Sequence, residues 1–387
     1  MSGRRLLGAA PEHHQFYRNT FKQLSDIQQR QVGMILGAAV ADAAVREFEW
    51  LDLHGDAGSV AIQQFLTSSS PSTELDATHE SLKDNEIAFP PQELAQLVPV
   101  DDTARQEELV HLAATPLRHQ SITGVMHHEL LKVMMTARGE FEVDAVADRW
   151  VSIAAAHPED FLKHHATLEH VLPILSPMAC VYPWADDEAL WRFSEPFAEF
   201  LFTPPASRHV ITDNGEPTTT PTPSPPSMTT ASHGAGACLM SQSIALRYLQ
   251  SNPHPTRNAM MQCTAPGGES ILPEDILMLR NGRGAATMSP TSAVMSGTIQ
   301  IAHEAKCYAH GIRKVIRFCA AQAVTSAPMT SSGRRFCGPA MLAGALLGAK
   351  FGVRSIPMEW LSATKDHSAL GTIAVDISQW AWNPPSK

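Results

Sequence analysis

With 387 residues, 44% of them apolar, the chain has the material for a sizeable core, which excludes disorder of the whole. Its 29 Lys and Arg against 39 Asp and Glu leave a formal charge of −10, which argues against general attraction to nucleic acid or an anionic membrane. The six cysteines form no C-x-x-C pair and fit neither a zinc knuckle nor a dense disulfide framework, so they read as reduced and mostly buried.

The N-terminus, MSGRRLLGAAPEHH, has no long hydrophobic region and is not a secretory signal. Glu12 and Asp26 speak against a mitochondrial presequence, which is Arg-rich and acid-poor. The expected location is intracellular and cytoplasmic, with the mitochondrion as the alternative. No apolar run reaches the ~18–20 residues of a membrane helix; the longest, 32–44, is broken by Asp42.

Residues 1–24 read as an arm, and 25–387 as one helical domain with insertions at 67–96, 204–232 and 252–284. The spacing predicts a helix over 27–50, with Val32, Ile35, Leu36, Ala39, Val40 and Ala43 at helical period. In it Gly33, Gly37 and Ala41 recur every four residues. A helical glycine costs about 1 kcal/mol relative to alanine, so such a stripe implies close approach of a second helix. Segment 67–96 is polar and reads as a surface excursion, partly helical at 91–98. Residues 122–138 are strongly helical, with Gly139 as the stop. Helices are expected again at 143–155, 159–174 and 186–202. Residues 216–232 are almost all Pro, Thr and Ser and have little to bury, so they read as a disordered loop. Helices resume at 235–249, and 252–284 is irregular. Helices follow at 298–307, 311–322 and 339–351, the last with Ala340, Gly344 and Gly348 on one face. The tail after Pro357 reads as short and tryptophan-bearing. No alternation of period two appears, so the chain is expected to be all-α, an orthogonal multi-helix bundle in a single domain.

The two glycine-striped helices carry a family resemblance. GMILGAAVADAAVREFEWL resembles the opening helix of the ADP-ribosylglycohydrolase/crystallin J1 family, G-x-x-x-G-x-A-x-G-D-A-x, with Asp42 on the motif's aspartate and Ala41 in place of its last glycine. SSGRRFCGPAMLAGALLGAKFG, followed by Ile356, Pro357 and Trp360, resembles the closing motif, G-G-D-x-D-S/T, then GALLGA, then IP-x-x-W. Between them, SITGVMHHELLKVMMTARGEFEVDAVADRW is similar to a crystallin J1-type segment, S-x-Y-G-D/E-Q with a helix and G-x-F-D-V-D, and PEDFLKHHATLEHVL to the helix that follows. Together these cover roughly residues 25–175 and 233–362. The resemblance implies an all-helical fold of the ADP-ribosylglycohydrolase type with a central cleft, where family enzymes place two Mg²⁺ ions and hydrolyse a bond to ADP-ribose.

The resemblance also implies which ligands are missing. Asp42 is kept, but the two closing aspartate positions are Arg335 and Cys337, and the middle acidic position falls near Val125. Hard divalent cations want several oxygen ligands. A guanidinium about 5 Å from a divalent ion repels it by roughly 7 kcal/mol at an effective dielectric of about 20. Asp101-Asp102-Thr103 offers an alternative acidic turn, or else caps the helical run at 104–114. Arg334 and Arg335 are either an anion-holding pair or a solvated loop. Cys337 is either a nucleophile beside a cation or a small buried hydrophobe. His127-His128-Glu129 and His164-His165 lack H-E-x-x-H and read as surface or core histidines. Lys306, Arg313, Lys314 and Arg317 form a basic run that reads as a solvated helix face.

The leading expectation is a non-catalytic protein of this fold, a pseudoenzyme serving as a structural or binding subunit among other proteins, with no cofactor. Its expected ligand-binding residues are Asp42, Gly124, Gly333, Arg334, Arg335 and Cys337. The alternatives are a Mg²⁺-dependent hydrolase with Asp42, Asp101 and Asp102 as ligands, and a metal-free binder of an anionic or nucleotide-like ligand.

Overall fold

A computed structural model describes residues 19–53, 120–137, 290–325 and 336–382, together with positions 17, 145, 146, 148, 149, 152, 153, 179, 180, 245 and 249. Among these residues the secondary structure is helical, with no β-strand, so the fold is all-α. The expected insertions at 67–96, 204–232 and 252–284, and the expected helices at 159–174 and 186–202, lie outside the described residues. Those described within 143–155 and 235–249 are helical.

Two helices form the centre. Helix α1 spans Asp26–Leu53, and every residue from Gln31 to Val45 is buried. A helix buried on all sides lies inside a domain rather than on its surface. The second central helix spans Cys337–Phe351, with every residue from Cys337 to Ala349 buried. The two cross along their glycine stripes. The Gly348 carbonyl stands where a Cβ on Gly33 would lie, and the Gly33 carbonyl stands where one on Gly348 would lie. Gly37 and Gly344 repeat this reciprocal fit one turn along. The close approach read from the spacing is therefore a backbone-to-backbone contact that no side chain can enter.

Around this pair pack α2 (Ile122–Thr136), α3 (Pro290–Glu304) and α4 (Tyr308–Thr325); the Cys337–Phe351 helix is α5, followed by α6 (Met358–Ala363) and α7 (His367–Trp382). Helix α3 begins eight residues before the expected 298, at Pro290; proline is favoured in the first turn, where its missing N–H costs nothing. It also ends earlier, at Glu304 rather than 307. Lys350 of α5 explains that end, because its Nζ donates to the carbonyls of Ala302 (3.3 Å), His303 (2.5 Å) and Ala305 (2.9 Å). A cation at a helix C-terminus meets the orphan carbonyls and the negative end of the dipole. Lys350→Met keeps the stem and removes the charge, so urea unfolding should show a loss of about 1–2 kcal/mol. An unchanged midpoint would remove this account of the α3 terminus.

Helix α4 buries Tyr308, Ile312, Val315, Ile316 and Cys319. In the basic run, Lys306 and Lys314 are exposed, whereas Arg313 and Arg317 are half-buried. Helix α5 starts at Cys337, two residues before the expected 339. It stops at Gly352, whose φ of 78° suits glycine, and whose N–H donates to the Gly348 carbonyl at 2.8 Å. The expected short tail is a correction: it contains α6 and the 16-residue α7. Trp360 of α6 is buried edge-on against Tyr308. Leu370, Ala374 and Ile377 form the buried stripe of α7, which packs on α1 and α2. From the N-terminal side, Tyr17, Phe21 and Leu24 join the same core, and Tyr17 Oη shares a 2.6 Å hydrogen bond with His367 Nδ1. Cys180, Cys319 and Cys337 are buried and Cys307 is half-buried. Among the described residues no helix is long and apolar enough to cross a membrane.

Candidate functional site

The three sequence-derived site residues that lie among the described residues come together at one point. Asp42 is placed by α1, Gly124 by the first turn of α2 and Cys337 by the first position of α5. Asp42 has no solvent exposure and Cys337 has 1%. The link between α1 and α2 is Ser121, the residue before α2. Its backbone N–H donates to Asp42 Oδ2 at 2.6 Å, and its hydroxyl donates to Asp42 Oδ1 at 2.6 Å. The same Ser121 Oγ accepts from the Gly124 N–H at 3.2 Å, the usual geometry of a helix N-cap. Serine before the apolar run of α2 was the sequence signal for this cap.

Gly124 is glycine for a steric reason. A Cβ there would fall on Asp42 Oδ2 and lie 2.8 Å from the Gln120 Cβ. A side chain would push the carboxylate out of reach of Ser121. Arg46 lies one helical turn beyond Asp42 and acts on it electrostatically, and the Cys337 thiol donates to its carboxylate. Burial pushes the Asp42 carboxyl above the usual carboxylate range, while Ser121, Arg46 and Cys337 pull it back. Buried at 1% exposure and hydrogen-bonded to a buried carboxyl group, Cys337 is poorly placed to act as a nucleophile.

The next turn of α2 carries His127 and His128. His127 is fully buried, and neither of its ring nitrogens has a hydrogen-bond partner among the described residues. Burial first, then the neighbouring His128, push its pKa down to about 3. His128 is lowered as well, by burial and then by Lys132, with Glu129 and Asp366 acting in the opposite direction. The histidines are therefore core residues. Among the described residues no three His, Cys, Asp or Glu side chains gather as a metal site would require. Gly333, Arg334, Arg335, Asp101 and Asp102 lie outside the described residues. Two contributors were missed in the sequence: Ser121 as the partner of Asp42, and Arg46. The i, i+4 spacing of Asp42 and Arg46 was a usable signal for the second.

No family model matches the chain, and no curated protein matches it. A solved structure described as an ADP-ribosylglycohydrolase-related protein complex is similar at 15% sequence identity, over 92% of this chain and 100% of that chain, with a TM-score of 0.47.

Proposed function

We propose that this protein is a non-catalytic member of the ADP-ribosylglycohydrolase/crystallin J1 fold, working as a structural or binding subunit for other proteins. One observation carries the reading: Asp42, the aspartate on the opening motif, has both oxygens taken by Ser121 donors. The nearby groups that act on it are a thiol and a guanidinium. A Mg²⁺ ion wants several oxygen ligands and would meet donors and a cation here instead. Among the described residues, those around Asp42 do not fit the ion. The Pro/Thr/Ser-rich composition within 204–232 is of a kind that a partner protein can recognise. A cytoplasmic compartment belongs to the same proposal, supported by six cysteines with no C-x-x-C pair and no dense disulfide spacing.

The test is an incubation of the full chain with an ADP-ribosylated protein and millimolar Mg²⁺, with free ADP-ribose as the readout. The expected result is no release above a protein-free control. Release that requires Mg²⁺ and stops on chelation overturns the reading.

A further inference from the structure

Asp42 sits where the beginnings of two helices converge. Helix α2 starts at Ile122 behind its Ser121 cap, and α5 starts at Cys337, each 15 residues long. The residue before α5, Phe336, supplies no side-chain cap. A helix N-terminus carries a partial positive charge of roughly half a unit from its unpaired N–H groups. The groups placed on the Asp42 carboxylate have the same character: the Ser121 N–H, the Ser121 hydroxyl, the Cys337 thiol and the Arg46 charge. Each donates or is positive. The packing leaves no slack either, since Gly124 has no room for a Cβ beside Oδ2.

We propose that Asp42 is an internal cap: its carboxyl group ties the starts of α2 and α5 to the middle of α1, so that this position is matched to a hydrogen-bonded carboxyl group rather than to a divalent cation. This rests on the same carboxylate as the proposed function and goes further, because it gives Asp42 a positive role in holding the fold. Under it, an aspartate that matches a metal-binding motif in sequence serves as an internal cap in the structure.

The experiment is thermal unfolding of the full chain as wild type, Asp42→Ala and Asp42→Asn, each with Mg²⁺, with EDTA and with increasing sodium formate against matched sodium chloride. Asp42→Ala should lower Tm by roughly 5–10 °C. Formate, which supplies a small free carboxylate, should restore part of that loss saturably in Asp42→Ala and leave the wild type unchanged. Mg²⁺ and EDTA should not shift the wild type. An unchanged Tm in Asp42→Ala overturns the proposal, and so does a loss that formate does not relieve. A Mg²⁺-dependent rise in wild-type Tm that Asp42→Asn abolishes overturns it as well. If Asp42→Ala does not fold, Asp42→Asn, which keeps the volume, decides alone: a lowered Tm without Mg²⁺ response supports the tie, and an unchanged Tm overturns it. Mg²⁺-dependent release of ADP-ribose with formate rescue intact would sink the proposed function and leave this inference standing.

Discussion

Gly348→Ala should destabilise the protein by about 3 kcal/mol or more, a large fraction of the ~5–15 kcal/mol by which a domain is ordinarily stable. One added methyl group is rarely so costly, and the reason here lies in what it would strike. A Cβ on Gly348 meets the Gly33 carbonyl and lies 3.1 Å from the Met34 nitrogen. Those are backbone atoms of α1, and no rotamer change relieves the clash. The helices must separate, and the separation would be felt along the whole crossing, including Gly37 against Gly344. Close-packed interiors transmit such a shift rather than absorb it. Gly33→Ala should behave alike, because its Cβ strikes the Gly348 carbonyl and lies 2.8 Å from the Val353 nitrogen. Thr372→Ala, on the exposed side of α7, should stay within about 0.5 kcal/mol of the parent. Urea unfolding of the four proteins checks the set. If Gly348→Ala unfolds at the parent's midpoint, the glycine stripe is not the reason for the close crossing.

The second large effect is acid lability centred on His127. This ring is neutral in the folded protein, with its pKa pushed down to about 3 by burial. In the unfolded chain it titrates near the ordinary value of about 6.5. Below that pH the unfolded state binds the proton and the folded state does not, so stability falls as the solution is acidified. Between about pH 7 and about pH 4.5 the loss from this one residue is about 2.5 kcal/mol. His128, lowered by burial and by Lys132, adds in the same direction. Asp42 opposes both. Its folded pKa is raised, so the folded state takes up a proton before the unfolded state does, and acidification relieves the burial of its charge. The net slope of the wild type is therefore a sum of opposite signs, and the comparison with His127→Leu isolates the histidine. That variant should lose less stability than the wild type between neutral and acidic pH. Parallel profiles for the two proteins would show that His127 titrates normally.

Much of the helical architecture follows from local order in the sequence. The recurrence of Gly33, Gly37 and Ala41, and of Ala340, Gly344 and Gly348, marked two helices that must touch closely. The contact is there, between those stripes. Such a pattern is legible because helical period is a property of neighbours along the chain. Helix α7 was legible in principle by the same rule, through Leu370, Ala374 and Ile377, but the tryptophans and the proline drew the reading toward a tail. The early end of α3 was not legible, because the charge that caps it comes from Lys350, in a different helix.

The site divides along the same line. The sequence alone determined that Asp42 lies on the first glycine-striped helix, that Gly124 stands near the start of the next described helix, and that a thiol, Cys337, stands just before the second glycine stripe. Only the tertiary structure decided that these meet, and what Asp42 does when they do. Its partner Ser121 is 79 positions away. A carboxylate in a sequence motif carries no record of whether it will face a cation or a set of N–H, O–H and S–H donors. Packing settles that choice, because a buried charge takes whatever complementary groups the neighbouring helices bring within hydrogen-bonding distance.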